Sequence, residues 1–157
     1  MNRKKLPYRN NCEGYFFLND NVLAKIRKGY IEFPGGGFNE EETPEQAILR
    51  ETKEETGAII KDLKKLEIIY FDWDENWAKT EKQKARYNKF RGEEMHLFTG
   101  MIKELKEASG DKEEKGREEQ KLIKIKEAIK FLENLKPFPK NMKEYYSKQL
   151  NMLKEKL

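Results

Sequence analysis

Arg50, Glu51, Glu54 and Glu55 place a guanidinium and three carboxylates within a few residues of each other, downstream of Gly35-Gly36-Gly37. The spacing is regular: Gly36, five residues to Glu42, seven more to Arg50-Glu51, then Glu54-Glu55 and Gly57. At about 100° per residue, Glu51, Glu54 and Glu55 share one helix face with Ala47 beside them. Ile48, Leu49, Thr52 and Thr56 turn the other way, toward a core. Like charges at i,i+3 or i,i+4 repel by roughly 0.2–0.5 kcal/mol per pair. Arg50 relieves Glu54 at i+4, but it cannot serve all three. A hard divalent cation does, and Mg²⁺ favours a few carboxylates plus substrate phosphates. The plainer alternative is a solvated Glu-rich helix in a chain with 39% charged residues. That alternative requires neither a glycine turn nor fixed spacing.

The elements that must position these groups are legible locally. Phe33-Pro34-Gly35-Gly36-Gly37 ends a strand and forces an irregular turn, because glycine reaches conformations closed to other residues. Thr43 suits an N-cap, Pro44 the first helical position, and Gln46 completes a capping box. Gly57 fits a left-handed C-cap, so the helix is expected from Pro44 to Thr56.

The segment 36–58, G-x5-E-x7-R-E-x-x-E-E-x-G, resembles the Nudix box, the signature of a hydrolase family acting on nucleoside diphosphates linked to another group. The resemblance implies an α/β fold, a Nudix-type α/β/α sandwich around a mixed β-sheet. It implies Mg²⁺ (or Mn²⁺) held by Glu51, Glu54 and Glu55 with a backbone carbonyl at Gly35 or Gly36. Glu51 or Glu54 would take a proton from the attacking water, Arg50 would orient the carboxylates, and Glu42 would be structural or would act through its neighbours. The chain departs from the family pattern at Thr52 and Ala58, where bulky aliphatics are expected. Both are packing positions.

A length of 157 residues is one domain, 1–157, large enough for a real core. With 33 basic and 29 acidic residues the net charge is +4, which argues against a dedicated nucleic-acid binder. Cys12 is the single cysteine, so no internal disulfide forms, and it reads as a small buried residue. Neither a signal peptide nor a transmembrane run is visible, so no membrane partner is expected and the expected place is the cytoplasm.

Strands are expected at Cys12 to Leu18, Val22 to Arg27, Leu66 to Asp72, Glu94 to Ile102 and Leu122 to Ile125. Residues 74–92 read as a polar, aromatic-studded insertion, a long loop or partly helical. The C-terminal helices occupy about 127–157, the first at Glu127 to Leu135 and the last starting at Asn141. The stripe Met142, Tyr145, Tyr146, Gln149/Leu150 and Leu153 has helical spacing and reads as core packing. Lys25 and Arg27 are candidates for substrate phosphates, with exposed strand residues as the alternative. Trp73, Trp77, Tyr87 and Phe90 could stack on a base, or could fasten the insertion to the body. His96, the lone histidine, reads as a structural hydrogen-bonding group.

Nudix enzymes commonly recruit a further carboxylate. Resemblance to the MutT-type branch favours Glu118 or Glu119, with Glu93, Glu94, Glu113 and Glu114 nearby. EFPGG (Glu32 to Gly36) and ETPEQA (Glu42 to Ala47) are similar to that branch, as is Phe138-Pro139-x-Asn141, where it places an Asn that recognises an oxidised base. Asn141 is equally well explained as the N-cap of the last helix. The expected function is Mg²⁺-dependent hydrolysis of a nucleotide substrate, a nucleoside triphosphate (an oxidised one included), to monophosphate and pyrophosphate. The alternatives are an ADP-ribose or nucleotide-sugar pyrophosphatase, trimming of RNA 5′ ends, and a non-catalytic nucleotide sensor. Members of the family are often homodimers, and that state is left open.

Overall fold

A computed structural model of the chain describes residues 2–106 and 121–157. In chain order the elements are β1 (Tyr8–Leu18), β2 (Asn21–Arg27), β3 (Tyr30–Glu32), β4 (Gly35–Gly37), α1 (Pro44–Thr56), β5 (Ala58–Asp72) and α2 (Glu81–Lys89). They continue with β6 (Gly92–Leu105), β7 (Lys121–Lys124), α3 (Ile125–Asn134) and α4 (Lys143–Glu155). The sheet runs β3-β2-β1-β6-β5, with β4 added on β1 and β7 on β2. Only β1 and β6 run parallel among the described pairs, so the sheet is mixed.

Residues Cys12 to Phe17 of β1 are buried on both faces, which requires a layer on each side. One face packs Cys12, Phe16, Leu23 and Phe98 against Ala47 and Ile48 of α1. The other packs Tyr15, Phe17, Ile69 and Leu97 against Ala128 and Leu132 of α3 and Leu150 and Leu153 of α4. The architecture is the expected α/β/α sandwich. One edge of β1 changes partner along its length. Phe17 and Leu18 pair with β2, whereas Asn11, Cys12 and Glu13 pair with the glycines of β4. That exchange opens the sheet at the box loop.

Several boundaries differ from expectation. β1 begins at Tyr8 rather than Cys12, because its polar half pairs residue by residue with β6 from Tyr8↔Gly92 onward. β5 starts directly after the Gly57 cap, not at Leu66, and passes register shifts near Lys61 and Lys65. Its exposed lysines hide the strand pattern, and charges are what protect an edge strand from pairing further. The insertion contains α2, closed by a Thr80–Gln83 capping box. Asn141 is not an N-cap: a 3-10 turn spans Lys140–Met142, and α4 then starts without a side-chain cap. Leu49 is 39% exposed and does not join the core. Thr52 and Ala58 are fully buried, the Thr52 hydroxyl without a hydrogen-bond partner among the described residues. No helix among the described residues is long and apolar enough to cross a membrane.

Candidate active site

α1 forms as its sequence dictates. Thr43 and Gln46 close the capping box, Pro44 opens the helix, and Gly57 ends it at φ 75°. This fixes the helix against β4, so that its carboxylate face meets the glycine loop. The contact is close: a Cβ on Gly36 would lie 2.6 Å from the Glu51 carboxyl carbon. A larger residue there would push the Glu51 carboxylate out of its place against the loop.

Arg50 organises the cluster. Its Nε and Nη2 donate to the two oxygens of Glu42, at 2.7 and 2.9 Å. Its Nη1 reaches Glu51 at 3.0 Å and Glu54 at 3.2 Å, and Nη2 also donates to the Gly37 carbonyl at 3.1 Å. This planar fork binds more than the i+4 carboxylate expected of it, tying loop to helix. Glu42 in turn accepts from the Asn39 amide at 2.8 Å, and the Arg50 guanidinium holds its carboxyl below the usual range.

Glu55 lies outside the reach of Arg50. Burial pushes its carboxyl up to about 9, helped by a hydrogen bond and charge from Glu51 and by the charge of Glu32, against a backbone hydrogen bond at Gly35. Glu55 is thus crowded against Glu51 in a place where a cation would satisfy both carboxyls. Among the described residues no three His, Cys, Asp or Glu side chains converge as a closed metal cage. An open site suits Mg²⁺, which takes one or two carboxylates and keeps places for water and phosphate. Glu51, Glu55 and the Gly35–Gly36 backbone fit that role, and Glu54, linked to Glu51 through Arg50 Nη1, is the third carboxylate of the same helix face.

A cleft of about 230 Å³ opens beside them, lined among others by Asn11, Glu13, Glu32, Gly36 and Glu55. Its floor is Glu13, a carboxylate that the sequence did not single out. Glu13 is buried and accepts from the Tyr15 and Tyr145 hydroxyls and, at 3.1 Å, from Gln149 Nε2. Tyr145 leads onward to Phe71, ring to ring at 5.2 Å. Phe71 lines a second, apolar cavity of about 240 Å³ with Trp73, Trp77, Asn141 and Met142.

Trp73 and Trp77 stack in parallel, 3.8 Å between centroids and 2° between planes. Trp73 is buried in the core, whereas Trp77 is half-buried. Asn141 donates its amide to the Asp72 carbonyl at 3.2 Å, which leaves its Oδ1 as the end directed elsewhere. Tyr87 and Phe90 belong to the fastening instead. Arg3 stacks over the Tyr87 ring at 3.4 Å and donates to the Tyr87 and Phe90 carbonyls, an anchor with no local sequence signal.

Lys25 is buried, not an exposed strand lysine, and pairs in register with Glu32, while Arg27 Nε reaches Glu32 at 2.9 Å. Both therefore belong to the neighbourhood of Glu55, whose carboxyl Glu32 also influences. His96 is buried and bonded to Glu94 at 2.9 Å, in keeping with a structural role. Cys12 is buried with its thiol donating to the Gly36 carbonyl, and burial pushes it up to about 12. Glu118 and Glu119, like Glu113 and Glu114, lie outside the described residues.

A family model described as NUDIX domain matches residues 11–148. The chain belongs to the Nudix family. It is a Nudix pyrophosphohydrolase of MutT-like type, and hydrolases of this family generally use divalent metal ions. Among curated Nudix relatives, the 8-oxo-dGTP diphosphatase of Proteus vulgaris is 37% identical over 77 residues, covering 46% of this chain and 69% of that protein. The putative 8-oxo-dGTP diphosphatase YtkD of Bacillus subtilis is 59% identical over 39 residues, but the match spans only 24% of its length. Solved structures agree in fold. A NUDIX hydrolase from Nitrosomonas europaea superposes with a TM-score of 0.61 at 17% identity, covering 94% of this chain and 88% of that one. The MutT protein from Bacillus halodurans gives 0.54 at 23% identity, covering 90% and 82%.

Proposed function

We propose that this Nudix enzyme hydrolyses a nucleoside triphosphate of the oxidised-purine class to the monophosphate and pyrophosphate, with Mg²⁺ as its metal. The observation that carries the reading is the setting of Glu51 and Glu55 against the glycine loop beside the Glu13 cleft. Glu13 of that cleft is hydrogen-bonded to Tyr145, whose ring packs on Phe71 of the Trp77–Asn141 cavity. Phosphates would lie at the Glu51–Glu55 end and the base in that cavity. The two relatives named as 8-oxo-dGTP diphosphatases support the same substrate class.

When bound, the metal would neutralise charge on the pyrophosphate and make water acidic enough to attack near neutral pH. Glu51 and Glu55 would hold it with the Gly35 or Gly36 carbonyl, and Arg50 would keep Glu51 and Glu54 in position. Glu51 or Glu54 accepts the proton of the attacking water. Trp77 offers a π-face for the base, and Asn141 Oδ1 an acceptor for an N–H that only the oxidised purine carries. The reading as an ADP-ribose or nucleotide-sugar pyrophosphatase rested on the aromatic insertion. That support weakens, since Tyr87 and Phe90 serve to anchor it.

A substrate panel tests the assignment. We expect the highest kcat/KM for 8-oxo-dGTP, ahead of dGTP, ADP-ribose and UDP-sugars. Asn141→Ala should cut the preference for 8-oxo-dGTP over dGTP at least about tenfold, the scale of one good hydrogen-bond contact to a base. Faster turnover of ADP-ribose or a UDP-sugar would favour the alternative, and no turnover of any would favour the sensor.

A further inference from the structure

Glu13 stands where packing alone would place an apolar side chain. Its face of β1 continues, two residues at a time, as Tyr15 and Phe17, both in the core. Glu13 is 7% exposed, and the three groups that donate to it are all neutral: the Tyr15 and Tyr145 hydroxyls and the Gln149 amide. Burying a carboxylate against neutral donors is costly, and a well-packed apolar group costs less. The metal chemistry gives Glu13 no task. Yet it lines the cleft together with Gly36 and Glu55.

Its capacity to accept is not used up. A carboxylate offers about four acceptor positions. Tyr15 and Gln149 take two on Oε2 and Tyr145 takes one on Oε1, which leaves one on Oε1 among the described residues. Gln149 Oε1, on the same amide that donates to Glu13, is buried without a hydrogen-bond partner among the described residues. The cluster is short of a donor. A phosphate brings only acceptors and more negative charge, so a hydroxyl or an N–H is what fits.

The position of the cluster narrows the choice. Its cleft also carries Gly36 and Glu55, the end given to the phosphates. On the other side Tyr145 packs on Phe71 of the cavity given to the base. In a nucleotide the pentose stands between phosphate and base, and a deoxynucleotide has one sugar hydroxyl, at C3′.

We propose that Glu13 is a specificity-determining residue whose Oε1 accepts a hydrogen bond from the 3′-hydroxyl of the substrate's pentose. Tyr15, Tyr145 and Gln149 act through it, holding the carboxylate in place. The contact rests on the nucleotide reading above for the path of the ligand.

Kinetics with 8-oxo-dGTP and its 2′,3′-dideoxy counterpart test the contact, since the two differ by that hydroxyl alone. The wild type is expected to lose at least about tenfold in kcat/KM with the dideoxy substrate, the scale of a hydrogen bond to a charged group. In Glu13→Leu the loss should shrink to less than about threefold, the contact being gone. Glu13→Gln, which keeps the shape and folds more readily, should show a smaller loss than the wild type. Tyr145→Phe keeps the carboxylate and should retain the full preference. Each ratio compares two substrates in one protein, so a uniformly weakened fold does not move it. Calorimetric binding of dGMP and 2′,3′-dideoxy-GMP reads the same preference without turnover. Equal kcat/KM for the two triphosphates in the wild type would overturn the proposal, as would an undiminished preference in Glu13→Leu and Glu13→Gln. If 8-oxo-dGTP were not turned over while dGMP still bound more tightly than its dideoxy counterpart, the substrate assignment would fail and the sugar contact would stand. Equal affinity for the two monophosphates in an inactive protein would overturn both.

Discussion

Glu51→Gln is expected to lower kcat for pyrophosphate release by about 10³-fold or more, with a melting temperature close to that of the wild type. Glu51 is where the site's contacts meet: Arg50 Nη1 at 3.0 Å, the Glu55 carboxyl, and the loop at Gly36. The amide keeps the shape and the Arg50 contact through its oxygen, so the fold should persist. It removes a negative charge from a crowded pair, which relieves the fold if anything. What it cannot do is hold a cation or take a proton, and a positioned general base alone is worth roughly 10²–10⁴-fold. Steady-state kinetics with Mg²⁺, alongside thermal denaturation, measures both halves. A variant turning over at the wild-type rate would place the chemistry elsewhere.

Glu13→Ala should have the largest effect on stability. Removing the carboxylate strands the hydroxyls of Tyr15 and Tyr145 and the Gln149 amide, all three acceptor-less in a buried space. An unsatisfied buried donor costs about 1–3 kcal/mol, and water entering the vacated volume offsets part of that. A net loss of about 3 kcal/mol lowers the melting temperature of a domain this size by roughly 6–12 °C. Because Tyr145 and Gln149 belong to α4, the loss should appear first as loosening of that helix in hydrogen exchange.

Glu13→Gln should cost less, since its amide oxygen still accepts. Its comparison with the wild type carries a pH signature. Burial raises the Glu13 carboxyl, although its three donors pull the other way. The protonated form is thus favoured in the fold, and the contribution of Glu13 is full at low pH. It is lost as pH rises from the unfolded toward the folded value. The stability advantage of the wild type over Glu13→Gln should therefore shrink as pH rises. Equal stability of Glu13→Ala and the wild type would mean that the three donors find other partners.

The loop and helix of the box were legible because everything that shapes them is local: Thr43 with Gln46, Pro44, Gly57, and the glycines before them. The layer arrangement followed from a family resemblance, and β1, buried on both faces, bears it out. What could not be read depends on partners far away in sequence. Arg9 and Asn11 meet Glu93 across more than 80 residues, and Glu13 meets Gln149 across 136. No spacing rule links such positions. Residues 58–65 look unlike a strand because their lysines face solvent on a sheet edge. Asn141 carries a good N-cap residue type, yet its amide turns to the Asp72 carbonyl and a 3-10 turn precedes the helix. Lys25 could be read as a phosphate contact or an exposed strand residue, and its burial comes from the place of β2 between β1 and β3, which the local sequence does not reveal.

Carboxylates on α1, a glycine loop and a divalent metal are proposed to direct water at the pyrophosphate of a nucleoside triphosphate. The decisive measurement is to resolve the products formed from 8-oxo-dGTP. 8-oxo-dGMP and pyrophosphate are expected in equal amounts, with turnover abolished by EDTA and restored by Mg²⁺. Release of orthophosphate with 8-oxo-dGDP, or a rate indifferent to EDTA, would contradict it.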